Sequence, residues 1–488
     1  MKSSSTILGT TAMASASALR VAIQAIILPV VGRILGPHAY GEIALVSPFI
    51  FFSMLLAESG LGSVIVKTDR LTKELEGTVF CFSGFFSIVF MLLFALFAYP
   101  IGYVMHEPMF APLLMSMSSV LLLASLNVVP AALLLRGKKY NWIAISDVIS
   151  TIGGVAGVTV GIMLDWGVWS LVAQQISFWF CKVTVVAIGA RFRPRFLFRW
   201  RLIRENIKFG TNVTGSSIIG FIAANIDNVL IGSIMGSETL GFYALAYQIV
   251  RLPQVVLSGS VYFTLFSNTS EAVRDGTLSP KQYLNVLRGI LLISAPAMIG
   301  MATTASIFIP LLLGDKWAPS VMLIILLTPM GLCGSIGAAC AGMLLGLGRS
   351  DLILKMGVQL AGLTIIGILI GVWINSTVVA AAVSLTSIFN VIYLLHVTAK
   401  SGGTSMRATI NATAAPVVSA ILMGCIVQAI KLTMPADLMP LIQLVVCIFA
   451  GAGAYAALLL GLFHDQLKSD LATVKAALKA QQKKPENA

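Results

Sequence analysis

The chain has 488 residues, of which 58% are hydrophobic and only 10% charged, with a formal net charge of +13. A soluble domain carries roughly a quarter charged residues, so most of this surface is predicted to face lipid. That composition excludes an ordinary soluble enzyme and makes the fold class an all-α polytopic membrane protein.

In chain order, apolar runs long enough to cross a bilayer fall at about 9–34, 42–64, 78–104, 111–135, 143–164, 167–190, 209–235, 241–266, 289–313, 319–346, 352–374, 376–399, 408–430 and 440–463. About 14 transmembrane helices are therefore expected, arranged as two pseudo-symmetric six-helix bundles plus two C-terminal helices. The expected divisions are 1–200, 201–400, 401–463 and a cytoplasmic tail over 464–488. Lys2 anchors the amino end, and no cleavable signal peptide is evident. The stretch Arg191–Lys208, with seven Arg and Lys, reads as a basic interfacial linker helix between the lobes. The tail after Phe463 reads as a short amphipathic helix.

Lys and Arg concentrate in the tails and in alternate turns, which by the positive-inside rule puts both termini in the cytoplasm. The basic excess thus reports topology and contact with anionic lipids, not nucleic-acid binding.

The runs repeat at an offset of 200 residues. VVGRILGPHAYGEIALV (30–46) aligns with LIGSIMGSETLGFYALA (230–246), with identity at Gly32/Gly232, Ile34/Ile234, Gly36/Gly236, Gly41/Gly241, Ala44/Ala244 and Leu45/Leu245. Three of these matches are glycines, which mark fixed points of backbone geometry. Such a repeat in an apolar chain is the sequence mark of a transporter with its site between two related halves.

Five ionisable residues lie well inside spans: Arg20, Glu58, Lys182, Asp227 and Arg251. Each costs about 2.5–3.5 kcal/mol at mid-bilayer, so each must be paired or face water. Arg20 and Arg251 lie near the midplane, where a guanidinium fork suits a phosphate-bearing substrate. Lys182 is a third substrate-binding candidate, although its stem can also snorkel to the headgroups. Asp227, flanked by Asn225 and Asn228, and Glu58 are candidates for ion coupling or for static charge pairs with the arginines. Gln24, Gln174, Gln175 and Gln248 can bind sugar or tie helices together. Pro29, Pro48, Pro130, Pro253, Pro296 and Pro329 are expected to kink helices.

The chain has no Walker loop, no CxxC pair and only four scattered histidines (His38, His106, His396, His464), so no cofactor, no catalytic residue and no locally assembled metal cluster is expected. Short loops leave no room for an extramembrane catalytic domain. A carrier is expected, and not an enzyme.

GRILGPHAYGEIALVSPF, DNVLIGSIMGSETLGFYALAYQIVRLP and LRGKKY resemble the polysaccharide-transporter branch of the MOP exporter superfamily, the Wzx-type flippases of lipid-linked oligosaccharides. The resemblance covers about residues 5–465. It implies two six-helix bundles around a central cavity and an inner-membrane flippase for undecaprenyl-diphosphate-linked repeat units in exopolysaccharide, O-antigen or capsule assembly. Partners implied are the polyprenyl diphosphate substrate and polysaccharide polymerase and chain-length regulator proteins. A multidrug exporter of the same superfamily is the alternative, disfavoured by a basic midplane. A membrane-embedded polymerase would need a large outward loop.

Overall fold

In the computed structural model, residues 2–58, 61–68, 71–277, 280–435 and 438–462 are described; the side chains of 2–12, 14, 203–217, 219, 223, 255–260, 263, 280–282 and 462 lie outside that description. The expected tail helix, the cytoplasmic tail 464–488 and the side chains of Arg204 and Lys208 therefore also lie outside it. Fifteen α-helices follow in order: α1 (Lys2–Glu58), α2 (Leu61–Lys67), α3 (Lys73–Val104), α4 (Phe110–Met117), α5 (Ser119–Arg136), α6 (Tyr140–Met163), α7 (Trp169–Ala190), α8 (Trp200–Met235), α9 (Ser237–Arg274), α10 (Pro280–Leu313), α11 (Pro319–Gly346), α12 (Ser350–Gly371), α13 (Ser376–Ser401), α14 (Met406–Thr433) and α15 (Pro440–Leu462).

Eleven described segments are long and apolar enough to cross a membrane. The first of them, Ser15–Lys67, holds two predicted runs, one on each side of Gly36, and α8 and α9 account for two more. Every predicted run therefore has its helix, and the chain is a multi-pass membrane protein.

The repeat is structural. Gly36 breaks α1 with φ 77° and ψ 175°, and Gly236, between α8 and α9, adopts φ 86° and ψ 164°. This corner of backbone space is essentially reserved for glycine. The two copies also meet. A Cβ placed on Gly41 would fall on the Ser237 carbonyl, and one placed on Gly241 would fall on the Pro37 carbonyl. Positions 37 and 237 are themselves equivalent, so the contacts are reciprocal, as a local two-fold axis requires.

Two compact units make up the chain: Met1–Leu245 with Ala361–Val379, and Ala246–Leu360 with Ala380–Ala488. In the first, α6 lies tightly along α7 because its glycines face the partner helix. A Cβ on Gly157 would come within 2.6 Å of Ser177 Oγ, and one on Gly161 within 2.7 Å of Ser170 Cα. Small residues are what allow such approach where lipid offers no hydrophobic drive. In the second unit, α14 and α15 pack with α10 through Ile307, Met423, Val427 and Cys447. The Tyr455 hydroxyl of α15 donates to the Leu292 carbonyl of α10 at 3.1 Å. The last two helices thus belong to a packed unit.

The basic linker departs from expectation. Residues 192–199 form no helix, and α8 begins only at Trp200. Pro194 restrains the residue before it to extended backbone, and the alternation of Arg with aromatic residues suits an extended strip. Phe192 and Phe196 both lie against Phe80, with centroids 5.6 and 6.0 Å away. The Arg199 N–H donates to Thr78 Oγ1 at 3.2 Å, and its guanidinium pairs with Glu74 at 2.8 Å. The strip is held on the end of α3.

Candidate functional site

The candidate residues in the first unit are set on α1, α7 and α8. Arg20 is half-buried on the first part of α1, and its Nε is buried without a hydrogen-bond partner. A polar atom in that state carries a desolvation cost that only an incoming acceptor or water can relieve. Glu58 ends α1. Among the described residues Arg20 and Glu58 form no ion pair with each other or with any other group.

Glu58 lies on a cavity of about 560 Å³ between α1, α2, α5 and α7, whose wall includes Ser63, Lys67, Asn127 and Trp179. Asn127 Oδ1 there is buried and unpartnered. A smaller cavity of about 130 Å³ joins Gln24 of α1 to Gln174 and Gln175 of α7, with Thr151 and Phe178 beside them. The fold therefore brings three of the four singled-out glutamines to one place.

Lys182 has a partner that the sequence did not suggest. Its ammonium sits 2.5 Å from Asp147 of α6, both side chains being mostly buried, and lies 5.8 Å from the centroid of the Phe178 ring. Asp147 stands only four residues inside its predicted span, at a depth where interfacial charge is common. The pair gives Lys182 one close anion before any substrate arrives.

Asp227 is 5% exposed. The Tyr243 hydroxyl donates to its Oδ2 at 2.8 Å, and the Asn228 backbone N–H donates to Oδ1 at 2.9 Å. Of the two flanking asparagines, Asn228 thus serves the carboxylate through its backbone. The Asn225 side-chain amide donates to Phe221 O of its own helix at 2.9 Å. Tyr243 was missed from sequence, yet the repeat carries the signal. Positions 227 and 243 correspond to Ile27 and Ile43, which both join the apolar cluster around Val31, Val158 and Leu171. One copy fills these positions with hydrocarbon and the other with a buried carboxylate and its donor.

In the second unit Arg251 is exposed, its guanidinium carbon 5.6 Å from the centroid of the Tyr247 ring.

A model of the family described as "Polysaccharide biosynthesis protein" matches residues 30–322, well over half of the chain. The chain belongs to this family. Lipopolysaccharide biosynthesis protein WzxC of Escherichia coli (strain K12) is 23% identical over 372 residues, which are 75% of each chain. Succinoglycan biosynthesis transport protein ExoT of Rhizobium meliloti (strain 1021) is 26% identical over 292 residues, 60% of this chain and 59% of its own. Among solved structures, the lipid II flippase MurJ in an inward closed conformation superposes with TM-score 0.75 at 15% identity, covering 94% of this chain and 100% of that one. An inward-facing MATE family multidrug resistance transporter of the MOP superfamily gives 0.62 at 16% identity, over 79% and 96%. At such identities these likenesses establish the fold.

Proposed function

We propose that the protein is an inner-membrane flippase that moves undecaprenyl-diphosphate-linked oligosaccharide repeat units outward for polysaccharide assembly. The observation that carries this reading is the family match over 30–322, which takes in the repeat, Asp227 and Arg251. Relatives named for lipopolysaccharide and succinoglycan biosynthesis support the same substrate class. In this reading both termini are cytoplasmic, the lobes are 1–200 and 201–400, and the chain works beside a polymerase and a chain-length regulator.

Arg20 and Arg251 are each read as diphosphate-binding, because guanidinium offers a planar fork to phosphate oxygens and keeps its charge. The unsatisfied Nε of Arg20 supports this role. Lys182, neutralised by Asp147, contributes only where the substrate displaces that partner. The fold shared with a multidrug exporter gives the alternative reading some ground. Expression in a flippase-deleted strain that makes a known polymer separates the two. Restored polymer with no change in drug tolerance supports the flippase; drug tolerance alone, without polymer, defeats it.

Coupling to an ion gradient is assigned to Asp227, with Glu58 as the second candidate. The contrast with Ile27 and Ile43, which fill the equivalent positions of the first copy with hydrocarbon, supports a role for Asp227 beyond packing. A proton or a small cation neutralises Asp227 when its surroundings dry. Reconstituted vesicles with an imposed proton or sodium gradient test this. Wild-type flipping is expected to respond to one gradient, Asp227→Asn to flip at a rate indifferent to it, and Tyr243→Phe to retain a weakened response. An Asp227→Asn protein that responds like wild type would eliminate Asp227 as the coupling group.

A further inference from the structure

Beside the crossing of the two repeat copies lies a second cluster that the transport reading does not use. His38 and Glu42 stand one turn apart just past the Gly36 break, and Glu107 comes from the turn between α3 and α4. One ligating atom from each, an imidazole nitrogen and two carboxylate oxygens, lies within 4.8 Å of the others. His38 is exposed, Glu107 is half-buried and Glu42 is 7% exposed.

The buried carboxylate is the informative member. Glu42 makes no hydrogen bond, and its one ion-pair contact among the described residues is His38 Nδ1 at 3.6 Å. A carboxylate removed from water without a partner is costly. Among the described residues no Lys or Arg pairs with Glu42 or Glu107. A protonated His38 brings one positive charge to two carboxylates, whereas a divalent cation bound to neutral imidazole balances both.

We infer that His38, Glu42 and Glu107 form a binding site for a divalent transition-metal ion of the zinc class. One imidazole and two carboxylates suit Zn²⁺ or Mn²⁺ better than the all-oxygen preference of Mg²⁺. Ligand atoms around tetrahedral zinc stand roughly 3.4 Å apart, as bonds of about 2.0–2.1 Å require. The His38–Glu42 distance already approaches this, and the exposed imidazole is free to complete the closure. Glu107 is oriented from outside the cluster: its Oε1 accepts the Ser237 backbone N–H at 2.8 Å, a second-layer bond of the kind that fixes metal ligands. Through that bond the ion would tie the second half of α1, the α3–α4 turn and the start of α9 together. Filling the site would therefore brace the crossing at Gly41 and Gly241.

The test uses the full-length protein in detergent, stripped of metal and titrated with ZnCl₂ at neutral pH while melting temperature and bound zinc are read. Wild type is expected to take up a single equivalent and to melt higher, with no shift from equal MgCl₂. His38→Ala, Glu42→Gln and Glu107→Gln should each weaken zinc binding by about tenfold or more, while His396→Ala binds as wild type does. Should Glu42→Gln fail to purify, His38→Ala decides alone, because that side chain is exposed. A wild type that binds no zinc overturns the inference. So does a zinc shift that persists in His38→Ala, or apo variants that melt lower yet keep the shift.

Discussion

Arg20→Ala and Arg251→Ala are each expected to abolish polymer export while leaving protein abundance nearly unchanged. Neither arginine neutralises a carboxylate among the described residues, so truncating either one strands no buried anion. Arg251 gives up a contact with the Tyr247 ring, about 0.5–1 kcal/mol for an exposed pair. Arg20→Ala removes an already unsatisfied Nε. The loss then falls on the ligand. A bidentate phosphate contact made of charge-assisted hydrogen bonds is worth about 1.5–3 kcal/mol per bond, or one to two orders of magnitude in binding. Lys at either position should restore only part of the export, since it supplies charge without the fork. Lys182→Ala provides the contrast. It leaves Asp147 buried without its cation, which costs about 3–5 kcal/mol when a buried pair is broken, so abundance should fall. The measurements are surface polymer and membrane protein level in the flippase-deleted strain. Normal export by both arginine variants would remove them from the substrate path.

The helices and the repeat were legible because both rest on local rules. Apolar length marks a span, and the paired glycines at 36 and 236 mark a backbone conformation that other residues avoid. Residues brought together across the fold were not legible. Asp147 meets Lys182 because α6 and α7 pack as an antiparallel hairpin, and no spacing in the sequence announces a partner 35 positions away. Glu107 comes near His38 and Glu42 from a distant turn, an approach that no spacing in the sequence announces. Tyr243 is legible in the differences between the repeat copies, not in their identities. Where the copies agree, they report shared geometry; where Ile27 and Ile43 become Asp227 and Tyr243, they report a buried hydrogen bond that the other copy lacks. The linker misled for another reason. Its basic composition suggested an interfacial helix, but Pro194 and the near-alternation of Arg with aromatic residues, broken at Leu197, were the stronger signal.

The crossing of the two copies should be the least tolerant point of the backbone. At Gly41 and Gly241 the atoms that a new methyl would strike are main-chain carbonyls, of Ser237 and Pro37 respectively. No rotamer change can relieve such a clash; the helix ends must move apart. Overpacking of this kind costs about 1–3 kcal/mol for one methyl, and more for a larger side chain. Separation would also disturb the neighbouring contacts, because Leu45 and Leu245 beside them are 1% and 0% exposed. Gly41→Ala and Gly241→Ala are therefore expected to lower the melting temperature of the purified protein by several degrees each. The double variant should lose less than the sum, since one displacement of the helices accommodates both methyls. Gly36→Ala should cost about 1–3 kcal/mol for a different reason, the φ of 77° at that position. The control is Gly84→Ala in α3, where a Cβ meets nothing within 4 Å and alanine should be neutral or slightly stabilising. If Gly41→Ala and Gly84→Ala melt alike, the helices do not cross at these glycines. The reciprocal contact is then not what joins the two copies.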